Sequence, residues 1–145
     1  MARIKIDLPE RFSFSVNIPV RITDVNFGGH VGNDSLLSIL QEARTQYFIY
    51  YGYTELNVGG IGTIMSDVGI EYKNELFYGE EIIVSVTAGD FTRVAFDLFY
   101  KIEKKSADGK LIPVVSAKTG IVCFNYAKKK IAAVPDEAVR KLKGQ

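Results

Sequence analysis

With 145 residues, 47% of them hydrophobic and 24% charged, the chain fits one globular domain, residues 1–145, and excludes a disordered tail. Its formal net charge of +1 leaves no basic face for nucleic acid, and its single cysteine, Cys123, forms neither an internal disulfide nor a cysteine-rich zinc site. Met1 to Glu10 alternate charged and apolar residues unlike a signal peptide, and no run is apolar enough to span a bilayer, so a reduced, cytoplasmic setting is expected.

Phe12, Phe14, Val16, Ile18, Val20 and Ile22 alternate with polar residues or Pro19, the period of a strand with one buried face. Pro19 cannot donate to a ladder and places this strand at an edge or a bulge. A loop rich in glycine and polar residues follows, Asp24 to Asp34, and then a helix from about Asp34 to Tyr51 with Asn33 or Asp34 as its cap. Leu36, Leu40, Ala43 and Tyr47 make its apolar stripe, widened by Leu37, Phe48 and Tyr51, broad enough for a helix largely wrapped by sheet.

Gly52 stops that helix, and Gly59-Gly60 and Gly62 precede a strand from Thr63 to Tyr72. Tyr78-Gly79-Glu80 turns into Ile82, Val84 and Val86; Gly89-Asp90 precedes Val94 to Ile102, again with period two. Asp108-Gly109 marks a hairpin into a strand around Val114 to Asn125, and Pro135-Asp136-Glu137 opens a short terminal helix. Strand, long helix, then strands joined by short turns predicts an antiparallel sheet with one helix on its concave face, an α+β architecture.

The loop holds the chain's only histidine, His30, beside Gly28, Gly29 and the amides Asn26 and Asn33. Glycines let a ligand approach the backbone, and a helix start offers unpaired N–H groups to developing negative charge. That combination suits an acyl oxygen. A lone imidazole without companion ligands does not make a metal site, and no Ser-His-Asp pattern is present.

The run Arg21-Ile22-Thr23-Asp24-Val25-Asn26-Phe27-Gly28-Gly29-His30-Val31-Gly32-Asn33, continuing into Leu40-Gln41-Glu42-Ala43-Arg44, resembles the 4-hydroxybenzoyl-CoA thioesterase branch of the hotdog superfamily. Length and element order agree, and the motif identifies the fold better than the substrate. The resemblance implies a hotdog fold, an antiparallel sheet wrapped around one central helix. It also implies an acyl-CoA thioesterase acting as a homodimer or homotetramer with sites between subunits. No separate cofactor is implied, since coenzyme A is part of the substrate.

Carried residue by residue, the resemblance makes Asn26, His30, Asn33 and Glu42 the candidate catalytic residues, and Gly28, Gly29 and Arg93 the candidate substrate contacts. Asn33 matches the residue whose backbone N–H polarises the thioester carbonyl. Asn26 stands where the branch carries its catalytic aspartate; an amide neither attacks nor takes a proton at neutral pH, though it can hydrogen-bond a water. A second hotdog branch has a carboxylate partway along the neighbouring subunit's helix, close to the place of Glu42, with Thr45 and Gln46 beyond it. At ~1.5 Å per residue Glu42 lies roughly 13 Å from Asn33, so only an interface between subunits joins them.

The same residues carry blander readings. Glu42 suits an ordinary ion pair, Asp24 a strand end and Asp34 a first helical turn. His30, the side chain that ordinarily titrates near neutrality, suits loop ordering or protonation of a leaving thiolate. Arg93 aligns with residues that contact coenzyme phosphates, with Lys73 and Lys128-Lys129-Lys130 as further cations and the lysine run also a solvated turn. The rival functions are a non-catalytic acyl-thioester binder that lost hydrolysis at Asn26 and, last, a hotdog hydratase or dehydratase.

Overall fold

The computed structural model describes residues 2–144. In chain order they form β1 (Phe14–Pro19), a 3-10 turn (Ile22–Asp24), α1 (Asn33–Tyr50), β2 (Gly62–Tyr72), β3 (Glu81–Gly89), β4 (Ala95–Lys105), β5 (Leu111–Asn125), β6 (Lys130–Ile131) and α2 (Asp136–Leu142). The sheet runs β1-β3-β4-β5-β2, antiparallel throughout, with β6 added to β5.

Pro19 ends β1 on the sheet edge, as its missing donor requires. The alternation was expected to continue through Thr23, but the strand stops at Pro19. The Asp24 carboxylate accepts the Arg21 backbone N–H at 2.8 Å and closes the 3-10 turn instead. The Asp108-Gly109 hairpin joins β4 to β5, with Gly109 at φ +85°, a conformation that favours glycine.

The period-two residues face α1. Ile82, Val84 and Val86 on β3, Leu98, Tyr100 and Ile102 on β4, and Ala117 and Ile121 on β5 are buried with Leu36, Ile39, Leu40, Ala43, Tyr47 and Phe48. Two positions of the helix differ from the predicted stripe. Leu37 is 43% exposed, whereas Arg44 is only 7% exposed. Arg44 is tolerated there because its charge is paired: Nε donates to Glu55 at 2.9 Å and Nη1 to the Tyr100 hydroxyl at 3.2 Å. The outward face of α1, with Ser38, Gln41, Glu42, Thr45 and Ile49, is open in the single chain.

Because β2 pairs with β5 and not with β3, residues 73–80 must cross from one edge of the sheet toward the other. They pass the loop before α1, where the Val31 N–H donates to the Leu76 carbonyl at 2.8 Å and His30 bridges to Phe77. This crossing brings a second loop to the N-terminus of the helix. No helix among the described residues is long and apolar enough to cross a membrane.

Candidate active site

Asn26 shapes the loop. Its side-chain Oδ1 accepts the Gly28 N–H at 2.9 Å, its carbonyl accepts the Gly29 N–H at 3.0 Å, and its own N–H donates to the His30 carbonyl at 2.9 Å. This is an Asx turn. Gly28 matters for what it lacks: a Cβ there would fall 2.9 Å from His30 Nε2 and 3.3 Å from Asn26 Oδ1. The imidazole and the carboxamide therefore converge over Gly28, within roughly 6 Å of each other by that geometry. Gly29, at φ +84°, takes the left-handed turn with open space where a side chain would stand.

The start of α1 corrects the predicted cap. Gly32 is the cap residue, in extended conformation, and no side chain accepts from the first turn. Asn33 is the first helical residue. Leu36 N–H bonds to the Gly32 carbonyl at 3.0 Å; the N–H groups of Asn33, Asp34 and Ser35 precede it, and a Ser, Thr or Asp cap ordinarily takes one of the latter two.

Of these residues Asn33 borders a cleft of about 310 Å3, lined also by His30, Leu36, Tyr72, Lys73 and Glu75, among others. His30 Nε2 stands 3.9 Å from Glu75 Oε1, and its ring sits edge-on to Phe77 with centroids 6.1 Å apart. The crossing segment is pinned beneath them. Lys104 Nζ donates to the Glu75 carbonyl at 2.8 Å and pairs with Glu80, and Glu80 in turn accepts the Phe77 N–H at 2.7 Å.

The structure sets His30 beside Asn26 and Gly28 and, in the cleft, beside Asn33; Asn26, Gly28 and Gly29 stand outside the cleft's lining, and Glu42 and Arg93 lie elsewhere. Glu42 accepts Gln46 Nε2 at 2.8 Å in a hollow with Asn17, Pro19, Arg21 and Ile39, on the β1 side of α1. Leu37, Gln41 and Arg44 instead face the β2 edge with Met65 and Val68. Arg93 lies in the β3–β4 turn, beyond Gly89, and its carbonyl accepts the Val134 N–H. The nine residues of β3 separate that turn from the crossing loop by roughly 30 Å. Within one chain Arg93 thus serves the opposite end of the sheet, and Lys73 is the cation at the cleft.

The two other carboxylates of the loop have local work. Asp24 is buried, with both oxygens held by Arg21, and Asp34 lies exposed in the first helical turn. Lys128 to Lys130 are exposed around the β5–β6 turn. Cys123 is buried, and burial pushes its thiol up to about 11, which makes it a poor nucleophile. Glu75 and its crossing loop were not singled out from sequence; no local pattern marks them, because their place depends on β2 leaving the sheet at the far edge.

A long helix cradled by an antiparallel sheet, with its N-terminus opening on a cleft of mixed polar and apolar lining, defines a hotdog-fold protein. The chain belongs to the thioesterase-like superfamily, whose family model matches residues 20–142. Its fold is similar to 4-hydroxybenzoyl-CoA thioesterase from Pseudomonas sp. strain CBS-3, at a TM-score of 0.78 and 17% identity over 90% of this chain and 99% of that one. A 1,4-dihydroxy-2-naphthoyl-CoA thioesterase from Synechocystis gives 0.76 and 19% over 89% and 94%. A 4-hydroxybenzoyl-CoA thioesterase bearing an Asp-to-Asn mutation, complexed with 4-hydroxybenzoyl-CoA, gives 0.79 and 18% over 89% and 97%. A search of curated proteins by sequence finds no match.

Proposed function

We propose that the protein is an acyl-CoA thioesterase, hydrolysing an acyl- or aryl-CoA thioester to a carboxylic acid and coenzyme A. The observation that carries this reading is the uncapped start of α1 facing a cleft that also holds an imidazole and a carboxylate. As water adds to the thioester carbon, the carbonyl oxygen gains negative charge beside the Asn33 N–H and the positive end of the helix dipole. Those donors are fixed before reaction, so they need no reorganisation. Asn26, through its Asx turn, keeps the loop open for the thioester, and His30 orders the loop and polarises water near Gly28. Lys73, at the cleft, suits the coenzyme phosphates.

The same reading calls for a homo-oligomer. Strand β2 is a free sheet edge carrying exposed Ile64, Met65, Val68 and Tyr72, beside exposed Leu37 on α1. Such an edge is expected to pair with a second copy, as a dimer or a dimer of dimers. Light scattering at micromolar concentration checks it; a monomeric mass removes the shared site.

A binding role is the second reading, and Asn26 favours it, since a neighbour with an Asp-to-Asn mutation holds its thioester in a complex. One assay decides between them: free-thiol release across acyl-CoA chain lengths and aryl-CoA thioesters. Turnover of any member supports the hydrolase. Tight binding without release from every member assigns the binder.

A further inference from the structure

Hydrolysis needs a group that takes a proton from water, and the loop places no carboxylate in the cleft, where His30 is its one titratable side chain beside the Asn33 N–H. The Asn26 carboxamide is not basic, and its Oδ1 is already engaged by the Gly28 N–H. Both oxygens of buried Asp24 are held by the exposed Arg21. Glu42 of the same chain lies outside this cleft, in a hollow on the β1 side of α1 where it accepts Gln46 Nε2, and could reach a cleft only from a second copy. Glu75 is the one carboxylate among the residues lining the cleft at the helix start.

Its placement is fixed while its side chain stays available. The Glu75 carbonyl is anchored by Lys104, and the next residue, Leu76, is anchored by Val31. The carboxylate itself is 66% exposed and reaches within 3.9 Å of His30 Nε2. The imidazole in turn is positioned by Phe77 and by the space that Gly28 leaves. A water near His30 and Glu75 therefore has a donor, an acceptor and the Asn33 N–H region within one cleft.

Resting on the hydrolase reading, we propose that Glu75 is the general base, supplying from the β2–β3 crossing the carboxylate that position 26 lacks. Glu75 takes a proton from water as the water oxygen bonds to the thioester carbon. The tetrahedral oxyanion then reforms the carbonyl, the carbon–sulfur bond breaks with its electron pair going to sulfur, and the proton passes from Glu75 to the thiolate. Water and thioester become acid and thiol, with no other reactant. His30 is a positioning residue that donates to the carboxylate or the water.

The test compares Glu75→Gln, Glu75→Asp and Glu42→Gln in the full chain on the best thioester found for the parent, with affinity read on its non-hydrolysable thioether analogue. Glu75→Gln is expected to lower kcat ~100- to 10,000-fold, the range of a lost general base. Its thermal unfolding and analogue affinity should be unchanged, because the side chain is exposed and makes no packing contact the fold depends on. Glu75→Asp, which keeps a carboxylate on a shorter arm, should recover part of the rate. Parent-like turnover by Glu75→Gln overturns the assignment while leaving the hydrolase standing, as does collapse of activity in Glu42→Gln alone. A parent silent on every thioester overturns the hydrolase and the base together.

Discussion

The two ends of α1 are finished in opposite ways. At the C-terminal end the backbone is saturated: Tyr51 N–H reaches the Phe48 carbonyl at 3.1 Å, Gly52 N–H the Ile49 carbonyl at 2.9 Å, and Tyr53 N–H the Phe48 carbonyl at 2.7 Å. Gly52 makes this possible at φ +82°, and buried Tyr53 closes the end, its hydroxyl donating to Glu137 at 3.0 Å. At the N-terminal end a glycine stands where a capping side chain would be, and a cleft lies in front of the first donors. Saturated polar groups stabilise; unsaturated ones in a preorganised frame can bind charge that forms during a reaction. One helix thus carries a saturated end and an open one.

The largest expected effect breaks the closed end. Phe48 is fully buried against Tyr47 and the sheet, so Phe48→Ala should lower unfolding free energy by ~3–5 kcal/mol. Urea denaturation measures it; a loss under about 1 kcal/mol would mean that this end is not the stabilising one. The matching change at the open end is Gly28→Ala, whose Cβ would lie 2.9 Å from His30 Nε2. Displacing the imidazole should cost turnover on the order of 100-fold, the scale of a 1 Å misplacement, while stability changes little. Equal loss of stability would make the loop part of the core and remove the contrast.

A smaller effect reports on sealing by pH. Cys123 lies on β5, paired with Thr63 near the closed end, and burial raises its thiol to about 11. A folded-state value above the unfolded one keeps the neutral thiol favoured in the native protein. The contribution is therefore complete below the unfolded pKa and is lost as pH rises toward about 11. Thermal melts of the parent and Cys123→Ala should diverge in slope over that alkaline window, and native Cys123 should resist thiol reagents that label it in urea. Rapid labelling of the native protein would show that this end is open.

How far the fold could be read follows from the range of the contacts involved. The helix, the strands and the Asp108-Gly109 hairpin rest on periodicity and turn chemistry that act within a few residues. Asn26, Gly28 and His30 share one loop, so their nearness to one another was legible as well. Glu75 was not, because its nearness to His30 comes from sheet order across 45 positions of chain. Which side of α1 Glu42 takes was equally hidden, since a charged residue off the apolar stripe can face either sheet edge. Arg44 broke the stripe because its partners Glu55 and Tyr100 are distant in sequence. The cap was misplaced by one step: Asn33 is a good capping residue by type, but Gly32 takes the extended conformation before the helix and Asn33 falls inside it.

That displaced cap gives the smallest and sharpest test of the two ends. With Asn33 inside the helix and no capping bond from its side chain, Asn33→Ala should change stability by no more than ~0.5 kcal/mol and, if the proposed oxyanion donor is its N–H, retain most turnover. Gly32→Ser goes further. The φ of −81° and ψ of 164° suit serine, and the new Cβ would meet Asp34 Oδ1 at 3.0 Å, the end of an exposed side chain that can swing aside. The hydroxyl should then accept from Asp34 or Ser35 N–H, and a serine cap exceeds a glycine one by only ~0.3 kcal/mol or so. Yet the same bond fills the field in front of the Asn33 N–H, so kcat should fall several-fold as the melting temperature rises slightly. Opposite signs in the two measurements are what an open, working helix end requires. If turnover holds or rises with the added cap, the unsatisfied donors of the first turn are not what stabilises the transition state.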